Sequence, residues 1–85
     1  MKSMPNQQTL DAMTEILRDL LFDNSLVLKE STTRADIPAW DSFSYVNFIV
    51  AVEMHFGVKF GVAEVESFVT VGEIATRIEQ LLDAV

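Results

Sequence analysis

Between Thr9 and Phe22 the apolar residues are Leu10, Met13, Ile16, Leu17, Leu20 and Leu21. Steps of three and four between them make one stripe along a helix. Asp11, Glu15, Arg18 and Asp19 fall on the opposite, solvent side. Ser3, Asn6 and Thr9 each qualify as the cap that starts this helix. Near the other end of the chain, Val71, Ile74, Ala75, Ile78, Leu81 and Leu82 form a second such stripe. It is introduced by Thr70-Val71-Gly72-Glu73, a capping box in which Thr70 caps and Glu73 reaches back.

The segment between is less regular. Asp23 to Ala39 reads as a long connection. Asp23-Asn24-Ser25 is turn-forming, and Pro38 disfavours helical geometry at Ile37. Leu26, Leu28 and Ile37 are expected to fasten this loop to the core. Loops of this length in small domains are commonly functional or disordered. A helix then opens at Asp41 or Ser42 and closes near Phe56-Gly57, where Gly57 suits a left-handed terminator. Val62 to Phe68 has room for a short helix of about two turns. No stretch alternates long enough for a sheet. The expected fold is all-α: a four-helix bundle of three longer helices and one short one, with a long loop between the first and second. Residues 1–85 are read as a single domain, with the bundle over about 9–82 and residues 1–5 flexible.

The helix from Ser42 to Phe56 departs from the one-stripe rule. Tyr45, Phe48, Ile49, Val52 and Phe56 make one broad apolar stripe, and Phe43, Val46, Val50 and Met54 make another, well over a quarter-turn away. Its polar positions are few: Ser44, Asn47, Glu53 and His55. A helix apolar nearly all round should be buried all round, which an 85-residue bundle can hardly arrange. Either this helix is unusually central, or the second stripe is a docking surface of the size that marks interaction sites.

Composition narrows the function classes. The chain has 13 acidic and 6 basic residues, a formal net charge of −7. Nucleic-acid binding needs clustered Lys and Arg, and acidic membrane surfaces would repel this chain. Its electrostatic partners are basic patches on other proteins. With no cysteine, disulfides, thiolate catalysis and Cys-ligated metals are excluded. No apolar run is long enough to span a bilayer, and the N-terminal residues lack an apolar secretion core. The expected setting is cytoplasmic, as a monomer.

Ser42 is the candidate site. It follows Asp41, a good N-cap, and so falls in the first turn of a helix. The positive end of a helix dipole and its unpaired N–H groups favour a phosphate ester there. The bland alternative is that Asp41 and Ser42 merely cap the helix and Trp40 staples onto Tyr45.

The larger pattern is more specific. Trp40-Asp41-Ser42-Phe43, the helix from Val46 through Val52-Glu53-Met54-His55-Phe56-Gly57-Val58, and Phe68-Val69-Thr70-Val71-Gly72-Glu73-Ile74 together resemble acyl carrier proteins and the related peptidyl carriers. The resemblance runs from about residue 9 to 82. It implies a non-enzymatic carrier whose Ser42 is modified by a phosphopantetheinyl transferase with 4'-phosphopantetheine from coenzyme A. The arm's thiol would then hold acyl groups as thioesters and present them to acyl-transferring or condensing enzymes. By the same resemblance, Asp41 helps the transferase engage. Phe43, Val46, Asn47, Val50 and Met54 are the expected partner face, which Val62 and Ala63 extend. An aminoacyl or peptidyl carrier is the alternative within the class, and an unmodified helical interaction module is the alternative outside it.

Two departures from the family pattern stand out. Phe43 replaces the usual Leu or Met. Bacterial fatty-acid carriers resemble this chain but carry several acids along the second helix, where this one has Ser44, Asn47, Met54 and His55 and keeps only Glu53. The acids lie instead at Asp11, Glu15, Asp19, Glu64, Glu66 and Glu73. That combination implies a specialised carrier with more apolar docking. Elsewhere the chain offers no rival chemistry. A lone His55 without cysteine is a poor metal site, and Gly57, Gly61 and Gly72 form no phosphate loop.

Overall fold

Two strongly one-sided helices and one nearly all-apolar helix leave few ways to pack. In the computed structural model, which describes residues 7–83, four α-helices form: α1 Gln7–Leu21, α2 Ser42–Phe56, α3 Val62–Ser67 and α4 Val71–Asp83. Among the described residues there is no strand, only an isolated bridge between Thr33 and Thr70. α1 packs against α2 and α4. Their facing stripes supply Leu10, Met13, Leu17, Phe48, Ile49, Val52, Val71, Ile74, Ala75 and Ile78 to one buried core. The expected flexible residues 1–5 and the caps Ser3 and Asn6 lie outside the described residues.

Helix ends follow their chemistry closely. The Asp41 carboxylate accepts from the Ser44 N–H at 2.9 Å, and α2 stops at Gly57, whose φ is +70°. At α4 the Thr70 hydroxyl accepts the Glu73 N–H at 3.2 Å. Here the expected capping box needs correction. The Glu73 carboxylate reaches one residue further back and takes the Val69 N–H at 2.8 Å.

Four other expectations shift. Thr9 is no cap: it lies inside α1, buried, and its hydroxyl donates to Glu79 at 3.0 Å. Arg18 is half-buried rather than free in solvent, because its Nε donates to the Leu26 carbonyl at 2.7 Å. Leu82, at the frayed end of its stripe, is exposed. α3 ends at Ser67, with Phe68 turning out as its extended cap.

The connection between α1 and α2 is ordered rather than loose. Leu28 and Ile37 are buried and Leu26 packs against the core, as their apolar character requires. A 3-10 turn spans Arg34–Asp36. The carbonyls of Glu30 and Thr32 accept the Gly72 and Val71 N–H groups, both at 2.8 Å. Those are unpaired donors of the first turn of α4, so the loop itself caps that helix. Thr14, a polar residue in the core, ties the loop to α1: its hydroxyl donates to Leu10 O at 2.8 Å and accepts the Leu28 N–H at 3.3 Å. This loop carries the chain to Trp40 and the start of α2.

Candidate functional site

The site is built where the loop becomes α2. Trp40 is buried and lies edge-on to Phe48 at 5.1 Å and to Tyr45 at 6.1 Å between ring centroids. Its contact with Tyr45, four positions into the helix, is a hydrophobic staple that fixes the angle at which the chain enters α2. Asp41 then caps with extended backbone, its carboxylate accepting from both the N–H (2.9 Å) and the hydroxyl (3.0 Å) of Ser44. Those two bonds, the backbone one foremost, hold the Asp41 carboxyl below its ordinary 3.8, against a smaller opposing effect of desolvation. The group stays ionised through neutral pH and keeps its cap.

Ser42 is thereby the first residue of α2 and exposed, and among the described residues no partner engages its hydroxyl. The Ser44 and Tyr45 N–H groups are taken by the Asp41 carboxylate and carbonyl. That of Phe43 leans on the same Asp41 carboxylate, whereas that of Ser42 precedes the first helical bond and remains for an incoming anion. The arrangement presents a free primary hydroxyl in a rigid frame beside a donor suited to phosphate oxygens.

The two stripes of α2 separate as their spacing predicts. Tyr45, Phe48, Ile49 and Val52 are buried. Phe43 (76% exposed), Val46 (54%), Val50 (47%) and Met54 (79%) face solvent, so α2 is not centrally buried. Asn47 is exposed among them. The far end of the stripe runs into a shallow depression of about 580 Å³, lined by Val50, Glu53, Met54, Gly57, Val58 and Lys59. Glu53, the one acid retained on α2, has an internal duty: it accepts the Phe60 N–H at 2.9 Å.

Val62 (77% exposed) and Ala63 lie in the open on α3. That short helix buries none of its own residues and is tied down by polar bonds. The Tyr45 hydroxyl donates to Val65 O at 2.6 Å. Glu64 accepts from Arg77 Nε at 2.6 Å and from the Gly61 N–H at 3.1 Å. The Arg77 bond, then the Gly61 bond, hold the Glu64 carboxyl below its ordinary 4.5.

Two features near Ser42 escaped the sequence reading. The Arg34 guanidinium sits 4.5 Å over the Tyr45 ring, a cation–π contact from the loop to the core stripe. Trp40 has a buried indole N–H with no acceptor among the described residues. Neither carries a pattern signal, since each depends on where a loop side chain lands. Among the described residues no cluster of His, Cys, Asp or Glu could hold a metal, and no helix is long and apolar enough to cross a membrane.

No family model and no curated protein matches the sequence. Among solved structures, the chain is similar to the solution structure of a holo acyl carrier protein from Geobacter metallireducens. The TM-score is 0.83 at 40% identity, over 92% of this chain and 90% of that one.

Proposed function

The chain belongs to the acyl carrier protein family, and on that premise we propose that Ser42 bears a 4'-phosphopantetheine arm holding acyl groups as thioesters. A phosphopantetheinyl transferase installs the arm from coenzyme A. The observation that carries this reading is the placement of Ser42: exposed, unengaged, first in α2 and framed by the Asp41 cap. A phosphodiester there would lie against the positive end of the helix, where it is stabilised rather than strained. Asp41 keeps the frame rigid and helps the transferase engage.

The carrier presents its cargo through Phe43, Val46, Asn47, Val50 and Met54, with Val62 and Ala63 extending that face. Four exposed apolar side chains on one helix favour enzymes with apolar recesses over enzymes that grip by charge alone. The scarcity of acid on α2 supports a specialised carrier serving dedicated acyl-transferring or condensing enzymes. It acts as a cytoplasmic monomer and catalyses nothing itself.

The test is intact mass after incubation with coenzyme A and a broad-specificity phosphopantetheinyl transferase. A gain of one phosphopantetheine, abolished by Ser42→Ala, is expected. An unchanged mass on folded protein would overturn the proposal.

A further inference from the structure

Ser42, Val46, Val50 and Met54 follow one another at steps of four residues. On an α-helix that spacing makes one continuous ridge. Ser42 therefore heads the same row whose next three members are exposed apolar side chains of α2. The row runs into the depression of about 580 Å³ bordered by Val50, Glu53, Met54, Gly57, Val58 and Lys59. A volume of that size falls in the range of small-ligand sites. Val50, Met54 and Val58 make its walls apolar, and Lys59 adds the methylenes of its stem.

The interior beside Ser42 is already filled. Tyr45, Phe48 and Val52, on the core side of the same helix, are buried. The Tyr45 hydroxyl ties α2 to α3 through Val65 O at 2.6 Å. The narrow space next to Trp40 is about 10 Å³, on the scale of one water rather than of an alkyl chain.

We propose that a long acyl chain on the arm lies outside the bundle, along the Val46–Val50–Met54 ridge and into the depression at its end. This rests on the proposed modification of Ser42. Val50 and Met54 stand about 12 and 18 Å beyond Ser42 along the helix axis. An arm of roughly fourteen bonds from serine oxygen to sulfur spans about 17 Å when extended. Its thiol can draw level with Val50 and still leave about 5 Å for the arm to turn back along the helix.

Chain length decides occupancy. Full burial of one methylene is worth about fourfold in an equilibrium, and covering it on one side about twofold. A butyryl group at a millimolar effective concentration occupies the ridge well under about 1% of the time. A dodecanoyl chain is eight methylenes longer and gains about 250-fold, which brings the ridge to about half occupied. The site thus takes apolar chains of about ten carbons or more. Such cargo covers the residues proposed for docking, so an enzyme has to displace it to engage.

Two methionines report the two places a chain could go: Met54 on the ridge, 79% exposed, and Met13 in the core, 0% exposed. The full chain, carbon-13 labelled at methionine and valine methyls, is compared with the bare arm and with butyryl, octanoyl and dodecanoyl arms, each state verified by intact mass. Overhauser contacts from the chain methylenes to the Met54, Val50 and Val46 methyls are expected with dodecanoyl, weaker with octanoyl and absent with butyryl. Contacts to Met13 or Val52 would place the chain inside the bundle and overturn the proposal, as would the lack of contacts in every loaded state or contacts independent of chain length. Val50→Asp, at a half-exposed position, is expected to accept the arm and lose the dodecanoyl contact at Met54. An undiminished contact there would overturn the ridge as the site. A folded chain that gains no mass refutes the carrier reading itself, a result separable from all of these.

Discussion

Gly72→Ala sets two magnitudes of opposite sign against each other. In an open helix the change would stabilise by at most about 1 kcal/mol, through helix propensity. Here a Cβ on residue 72 would lie 2.8 Å from the Glu30 carbonyl oxygen, 3.1 Å from Glu30 Cβ and 3.2 Å from Glu30 Cα. Two of those atoms are backbone, and the oxygen is the acceptor of the Gly72 N–H itself. The methyl can enter only by moving the loop off the first turn of α4. That costs about 1–3 kcal/mol as overpacking, plus about 1 kcal/mol where the hydrogen bond is weakened. The net expectation is a destabilisation of about 1–3 kcal/mol, lowering Tm by roughly 4–24 °C in a domain this size. Urea titration and thermal melting monitored by circular dichroism measure it. Gly61→Ala is the control, because the nearest atom to its new Cβ is Glu64 Oε2 at an ordinary 3.5 Å. There a backbone-entropy gain of about 0.4–1 kcal/mol offsets the weaker capping by alanine, and stability should barely change. If Gly72→Ala melts at or above the parent temperature, the Glu30–Thr32 segment yields freely and its seating on α4 is not a structural constraint.

Other expectations concern single groups. Asp41→Asn preserves an N-cap but removes a carboxylate whose folded pKa lies below its ordinary 3.8. Such a group contributes fully above its unfolded value and loses that contribution as pH falls through the folded one, so the variant should show a shallower loss of stability in acid melts below about pH 4. Tyr45→Phe deletes the hydroxyl that donates to Val65 O and should cost about 1 kcal/mol, with faster amide exchange in α3. Met54→Glu, at a side chain 79% exposed, should leave stability within about 0.5 kcal/mol while slowing acyl transfer to a cognate enzyme. An unaffected transfer rate would remove Met54 from the partner face.

What the sequence determined by itself was whatever local physics decides. The periodicities at Leu10–Leu21 and Val71–Ile78 located α1 and α4, because one-sided helices have to bury their stripes. Asp41 and Gly57 bracketed α2 to within about a residue, because an N-cap side chain and a left-handed terminator act within one turn. The position of Ser42 at the head of that helix followed from the same cap. The tertiary structure decided what depends on residues far apart in the chain. Whether the second stripe of α2 is buried or open was settled by packing, which leaves Phe43, Val46, Val50 and Met54 outside. The pairing of Thr70 with Thr33, with the Val71 N–H on the Thr32 carbonyl, joins segments far apart in the chain. The long loop became a cap for α4 only because Gly72 admits the Glu30 backbone at close range. The buried indole N–H of Trp40 arises where loop, α2 and the start of α4 meet, a junction no periodicity encodes. Local preferences are written residue by residue, whereas these contacts exist only once separate segments share the same space.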